Sequence, residues 1–114
     1  MPSKSVGQIE AAISEAVIKF EREYMGRGPT KTRTYLLEDL IVVRLEGVLT
    51  PAEQQLAKDP QGVKLLKEVR SNLIEGARET LKKMIFDLSG REVVSMHSDI
   101  SSKMGERIVV FTLK

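Results

Sequence analysis

Apolar residues recur at helical spacing at Ile9, Ala12, Ile13, Ala16, Val17 and Phe20, with Glu10, Glu15, Lys19, Glu21, Arg22 and Glu23 between them. Such a stripe predicts an amphipathic helix over about residues 6–24, with those charged residues as its solvated face. Ser5 followed by Gln8 is a capping-box start, and Gly26 after Tyr24-Met25 is a stop. Gly26-Arg27-Gly28-Pro29 then breaks the chain, because glycine accepts positive φ and Pro29 pushes Gly28 out of the helical region. The pattern changes to period two. Thr30–Leu37 and Leu40–Glu46 predict strands joined at a Glu38-Asp39 tip, with Ile41, Val43 and Leu45 on a buried face and Leu40, Val42, Arg44 and Glu46 on a mixed one.

Thr50-Pro51-Ala52-Glu53 combines a threonine cap, proline at the first helical position and glutamate at the capping-box position, which accounts for Glu53 structurally. A short helix to about Lys58 is expected, and Asp59-Pro60 caps the next. Val63, Leu66, Val69, Leu73, Ala77, Leu81, Met84 and Leu88 then keep helical spacing, joined by Ile74 and Ile85. One unbroken helix of about 25 residues would reach nearly 40 Å, long for a domain of this size. The expectation is a kink near Gly76 or packing against a second copy. After Ser89-Gly90, Arg91–Ser98 predicts a strand with Val94 and Met96 facing one way and Val93, Ser95 and His97 the other. A turn region over Asp99–Gly105 leads to a last strand, Arg107–Lys114, in which Val109, Phe111 and Leu113 share a face.

The predicted fold class is α+β: a two-layer sandwich, residues 1–114 as a single domain, with a four-stranded antiparallel sheet and helices on one face in the order α-β-β-α(short)-α(long)-β-β. The sheet's second face is half apolar, at Leu40, Val42, Ile108 and Val110, which predicts a homodimer or another partner covering it.

Composition narrows the function classes. Apolar residues are 41% and charged residues 30% of the chain, in the range of a soluble globular domain. The net charge of +2 is a slight imbalance, and with two tyrosines, no tryptophan and mixed signs along the long helix it argues against nucleic-acid binding. There are no cysteines, which removes disulfides, thiolate metal sites and cysteine nucleophiles, and fits a cytoplasmic setting. Met1-Pro2-Ser3-Lys4-Ser5 lacks the apolar core of a secretory signal, and no apolar run suffices for membrane insertion. The acidic polar face of the first helix argues against membrane-surface binding.

Chemistry-bearing residues are sparse. Arg27, Gly28, Thr30, Lys31 and Arg33, with Arg44 nearby, form the densest positive segment, a candidate site for a small anion or a protein partner through backbone amides and cationic side chains. The segment is not a Walker loop, since it lacks the Gly-Lys-Ser/Thr and leads into a strand. His97 and Asp99 are secondary candidates, and with Ser95 they can share a strand face, though no nucleophile elbow accompanies them. One histidine is too little for a metal site, and no cofactor is expected.

Gly26-Arg27-Gly28-Pro29, the run Val43-Arg44-Leu45-Glu46-Gly47-Val48-Leu49-Thr50-Pro51-Ala52-Glu53, Val69-Arg70, Ser89-Gly90 and His97-Ser98-Asp99-Ile100 together resemble the MpsC-like family of small bacterial domains. That family takes its name from a sodium-translocating, membrane-potential-generating system. The resemblance implies a noncatalytic accessory or regulatory domain, a soluble companion to ion or inorganic-carbon transport proteins, and supplies no catalytic residues. The alternative is a small-molecule or anion-binding enzyme using the Gly26–Arg33 loop, Glu53 and His97 with Asp99, which requires these groups to converge on one pocket.

Overall fold

The computed structural model describes residues 4–114, so Met1-Pro2-Ser3 and the N-terminal signal reading made on them lie outside the described residues. Helix α1 (Val6–Tyr24) is followed by strands β1 (Lys31–Leu37) and β2 (Leu40–Glu46). Helices α2 (Pro51–Leu56), α3 (Pro60–Gly76) and α4 (Arg78–Ser89) come next, then strands β3 (Val93–Ser101) and β4 (Glu106–Leu113). The strands form one antiparallel sheet in the order β1-β2-β4-β3. Buried Ile13, Val17, Leu66, Ile74, Leu81 and Ile85 of the helices form one cluster with Ile41, Val43, Leu45, Met96, Val109 and Phe111 of the strands. This is the expected α+β two-layer sandwich, with the helices on the inner face of the sheet.

Local chemistry sets the element ends. Ser5 and Gln8 close a capping box on α1, as do Thr50 and Glu53 on α2, and Asp59 Oδ1 accepts the Gly62 N–H at 2.8 Å to start α3. Gly62 is where α2 and α3 touch: a Cβ there would collide with the Leu56 carbonyl. Gly47 has φ +68°, and a Cβ on it would strike the Thr30 side chain, so the end of β2 closes on the entry to β1 only with glycine.

The long helical pattern is broken, the first of the two expected outcomes. Ala77, at φ −100° and ψ 7°, separates α3 from α4, and its carbonyl accepts the Leu81 N–H at 2.9 Å. The break turns the apolar stripe. Gly62, Leu66, Arg70 and Ile74 are the buried positions of α3, whereas Val69 and Leu73, read from the sequence as part of the buried stripe, are exposed. In β3 the expected parity also fails. A bulge between Val93 and Ser95 puts Val93 and Met96 on the inner face and leaves Val94 60% exposed. The strand also runs on through Asp99–Ser101, which the sequence placed in a turn, because Ser101 pairs with Glu106.

Candidate functional site

The outer face of the sheet is ordered in rows. Tyr35, Val42, Val110 and His97 are successive cross-strand partners, and Arg33, Arg44, Ile108 and Asp99 form the next row. Towards the β1–β2 hairpin, Leu37 pairs with Leu40 and Leu40 with Thr112; at the other end Lys31 pairs with Glu46 and Glu46 with Glu106. The face therefore grades from apolar to charged along the strands.

The candidate residues occupy separate parts of this surface. The Arg27 Nε donates to the Gly47 carbonyl at 3.3 Å, and Thr30 bonds the Glu46 carbonyl through its backbone N–H at 2.8 Å and its hydroxyl at 3.2 Å. These bonds pin the loop carrying Gly28 to the end of β2 and leave Lys31 and Arg33 exposed on edge strand β1. Neither Arg27, Lys31 nor Arg33 joins an ion pair among the described residues. Arg44 is engaged within the sheet, with its guanidinium 2.8 Å from Glu106 Oε2 and 3.7 Å from Glu46 Oε1.

His97 and Asp99 stand on β3, the opposite edge, three strand spacings or about 14 Å from β1. The structure thus does not bring the loop and His97 to one pocket. His97 Nε2 lies 3.1 Å from Ser95 Oγ, but Asp99 turns away: its Oδ1 accepts the Ile100 N–H at 2.8 Å and lies 3.6 Å from Lys67 Nζ. The Ser95 hydroxyl is also bonded to Thr112. The carboxylate that would orient the imidazole for nucleophilic catalysis is committed elsewhere. No group of three or more His, Cys, Asp or Glu residues is placed to hold a metal among the described residues.

The inner face holds a feature that the sequence reading missed. Glu21 of α1, assigned above to a solvated face, is 1% exposed and sits between Arg70 of α3 and Arg107 of β4. Arg70 forks onto Glu53 with two bonds of 2.8 Å and donates to the Val48 carbonyl at 2.9 Å. Arg107 Nη1 donates to Ser98 Oγ at 2.8 Å, and its Nε lies 3.6 Å from Glu21 Oε1. Arg70 Nη1 is 4.0 Å from Glu21 Oε2. Two cations and two carboxylates from α1, α2, α3 and β4 thus close a charge-balanced knot inside the domain.

Burial pushes the Glu21 carboxyl above the usual glutamate range, more than the Arg107 and Arg70 charges pull it down. Burial acts the same way on Glu53, but the Arg70 and Thr50 hydrogen bonds and the Arg70 charge outweigh it and hold that carboxyl low. A signal for the knot exists in the sequence. Glu21 follows Ile13 and Val17 at i+8 and i+4, Arg70 lies midway between Leu66 and Ile74, and Arg107 shares the parity of Val109 and Phe111. Each charge occupies a position that the apolar period assigns to the core.

Residues 5–114 match the family described as the Na+-translocating membrane potential-generating system (MpsC). The chain belongs to the MpsC family. It is 43% identical over 110 residues to the uncharacterized protein YbcI of Bacillus subtilis (strain 168), covering 96% of this chain and 89% of the relative. It is 31% identical over 99 residues to the uncharacterized protein YrhF of the same organism, covering 85% and 79%. No solved structure matches. The family covers the loop, the sheet and the knot alike. No helix among the described residues is long and apolar enough to cross a membrane.

Proposed function

We propose that this MpsC-family chain is a noncatalytic accessory domain of a sodium-translocating system, held at the cytoplasmic side of the membrane by a companion protein. Its docking determinant is the basic loop Arg27–Lys31 with the start of β1, and the companion contributes an acidic segment. The observation carrying this reading is the contrast among cations: Arg44, Arg70 and Arg107 are matched by carboxylates of the domain, whereas Arg27, Lys31 and Arg33 stand together at one corner without one among the described residues. The loop's backbone is pinned by Thr30 and Gly47, so this positive corner is presented on a fixed frame. The family description supplies the setting.

Capture with tagged protein from separated membrane and soluble fractions tests the reading. Wild type is expected to recover subunits of a sodium-transport system, and the double variant Arg27→Ala/Lys31→Ala to lose them while melting within a few degrees of wild type, as surface changes do. Equal recovery by both proteins would remove the loop as the docking site.

A further inference from the structure

The outer sheet face adjoins the loop corner at Lys31 and Arg33, and its charge pattern specifies an occupant. Tyr35 is 40% and Leu37 54% exposed on it, and Val42, Ile108 and Val110 lie half-buried at its centre. The face is polarised in two directions. Along the strands it runs from Leu37 and Leu40 to the charged end; across them it runs from the unmatched cation Arg33 on β1 to Asp99 on β3, whose side chain is 84% exposed. The charge between them is neutralised internally, because Arg44 is held by Glu106.

Two sheets stacked face to face keep their strands within about 30° of each other. A symmetric pair can do so about a twofold axis running along the strands or across them. An axis across the strands would lay the Leu37–Leu40 end on the Lys31–Glu46 end of the second copy, burying charge against apolar surface. An axis along the strands, between β2 and β4, keeps every row at its own level and exchanges the edges. It sets Val42 on Val110 of the other protomer, Tyr35 on His97, and Arg33 on Asp99 twice over; it also brings Arg44 over Ile108 and Glu46 over Glu106, where the Arg44 that each of these carboxylates already faces in its own protomer offsets their repulsion. A 30° crossing displaces the edge strands by only about 4 Å, within the reach of an arginine side chain.

We infer that the occupant of this face is a second copy of the chain, related by a twofold axis parallel to the strands, with Arg33 of each protomer paired to Asp99 of the other. Lys67, now 3.6 Å from Asp99, shares that carboxylate at the rim. Arg27 lies outside the paired rows, whereas Lys31 and Arg33 share the outer parity of β1, so a change at Asp99 is what separates dimerisation from companion binding.

Light scattering on the full chain at tens of micromolar, with circular dichroism to verify folding, tests the pairing. Wild type is expected to be a dimer. Arg33→Asp and Asp99→Arg, both at exposed sites, each raise the dissociation constant at least tenfold, and the double exchange Arg33→Asp/Asp99→Arg restores the dimer. A monomeric wild type, an unaffected single variant or a double exchange that stays monomeric would each overturn the inference. Because Asp99→Arg leaves Arg27, Lys31 and Arg33 in place, loss of the dimer with retained companion capture in that variant separates this inference from the accessory reading.

Discussion

The two faces of the sheet use the same alternation and treat charge in opposite ways. Among the described residues, the inner face carries a single charge, Arg107, which is 2% exposed and is met by Glu21 of α1 and by Ser98 of the neighbouring β3. On the outer face Arg44 binds Glu106 in the neighbouring strand while its apolar neighbours Val42, Ile108 and Val110 are only half-covered. Charge buried inside ties elements that are distant in sequence, at a desolvation cost that the ion pairs and hydrogen bonds offset only in part, since Glu21 Oε2, Arg70 Nη1 and Arg107 Nε and Nη2 have no hydrogen-bond partner among the described residues. Charge on the outside costs little to hold and is free to choose a partner.

The sharpest way to break this contrast is at Arg70. Arg70→Ala removes the bidentate partner of Glu53 and leaves Glu21 and Arg107 imperfectly balanced, so chemical denaturation should show a loss of about 3–5 kcal/mol. A companion Glu53→Ala variant sharpens the result: if the knot is one unit, the double variant loses less than the sum of the single losses.

Adjacent valines on β4 give a smaller, cleaner comparison. Val109 is 5% exposed on the inner face and Val110 looks outward. Val109→Thr buries a hydroxyl and should cost about 1–3 kcal/mol. Val110→Thr, measured by denaturation at submicromolar protein, should stay within about 0.5 kcal/mol. Equal effects would mean that the two faces do not differ as described.

The smallest effect is a pH dependence with a definite sign. Glu21 has a raised carboxyl in the folded state, so its penalty is absent below the ordinary glutamate pKa of about 4.3, grows as pH rises through the folded value, and is complete above it. Glu53 behaves oppositely: its contribution is full above the ordinary value and is lost as pH falls through its lowered folded one. Glu21→Gln should therefore abolish the decline of the urea midpoint that sets in above the ordinary glutamate pKa while preserving the acid-side loss. An unchanged slope there would show that Glu21 is not its source.

The elements were legible because their punctuation is local. Ser5, Thr50-Pro51 and Asp59-Pro60 each satisfy a helix start by themselves, and Ile41-Val43-Leu45 needs only a period of two. The β3 bulge was not legible, since an extra residue reverses parity without any change of composition. Glu21 was misread because a charged residue was assigned to water by type, although its position favoured the core. Glu10, also read as solvated, uses Oε2 to accept the Leu36 N–H at 2.8 Å on the edge strand, a contact between elements that periodicity does not encode. The candidate loop was legible as a charged irregular segment. Its separation from His97 depends on strand order, which follows from the whole sheet.

The seam between β2 and β4 also bears on how the chain folds. The β1–β2 turn is Glu38-Asp39, and β3 and β4 are joined by a short turn after Ser101, so each hairpin closes over a small span. The central pairing of Val43 with Val109 forms only after α2, α3 and α4 have been bridged. The loop-closure argument predicts that the two hairpins form early in folding and that the seam is the slow step, an order that φ-value measurements at Val43 and Val109 would check. In that order, each half would leave the strand edge that the other covers open to a neighbouring chain until the seam closes.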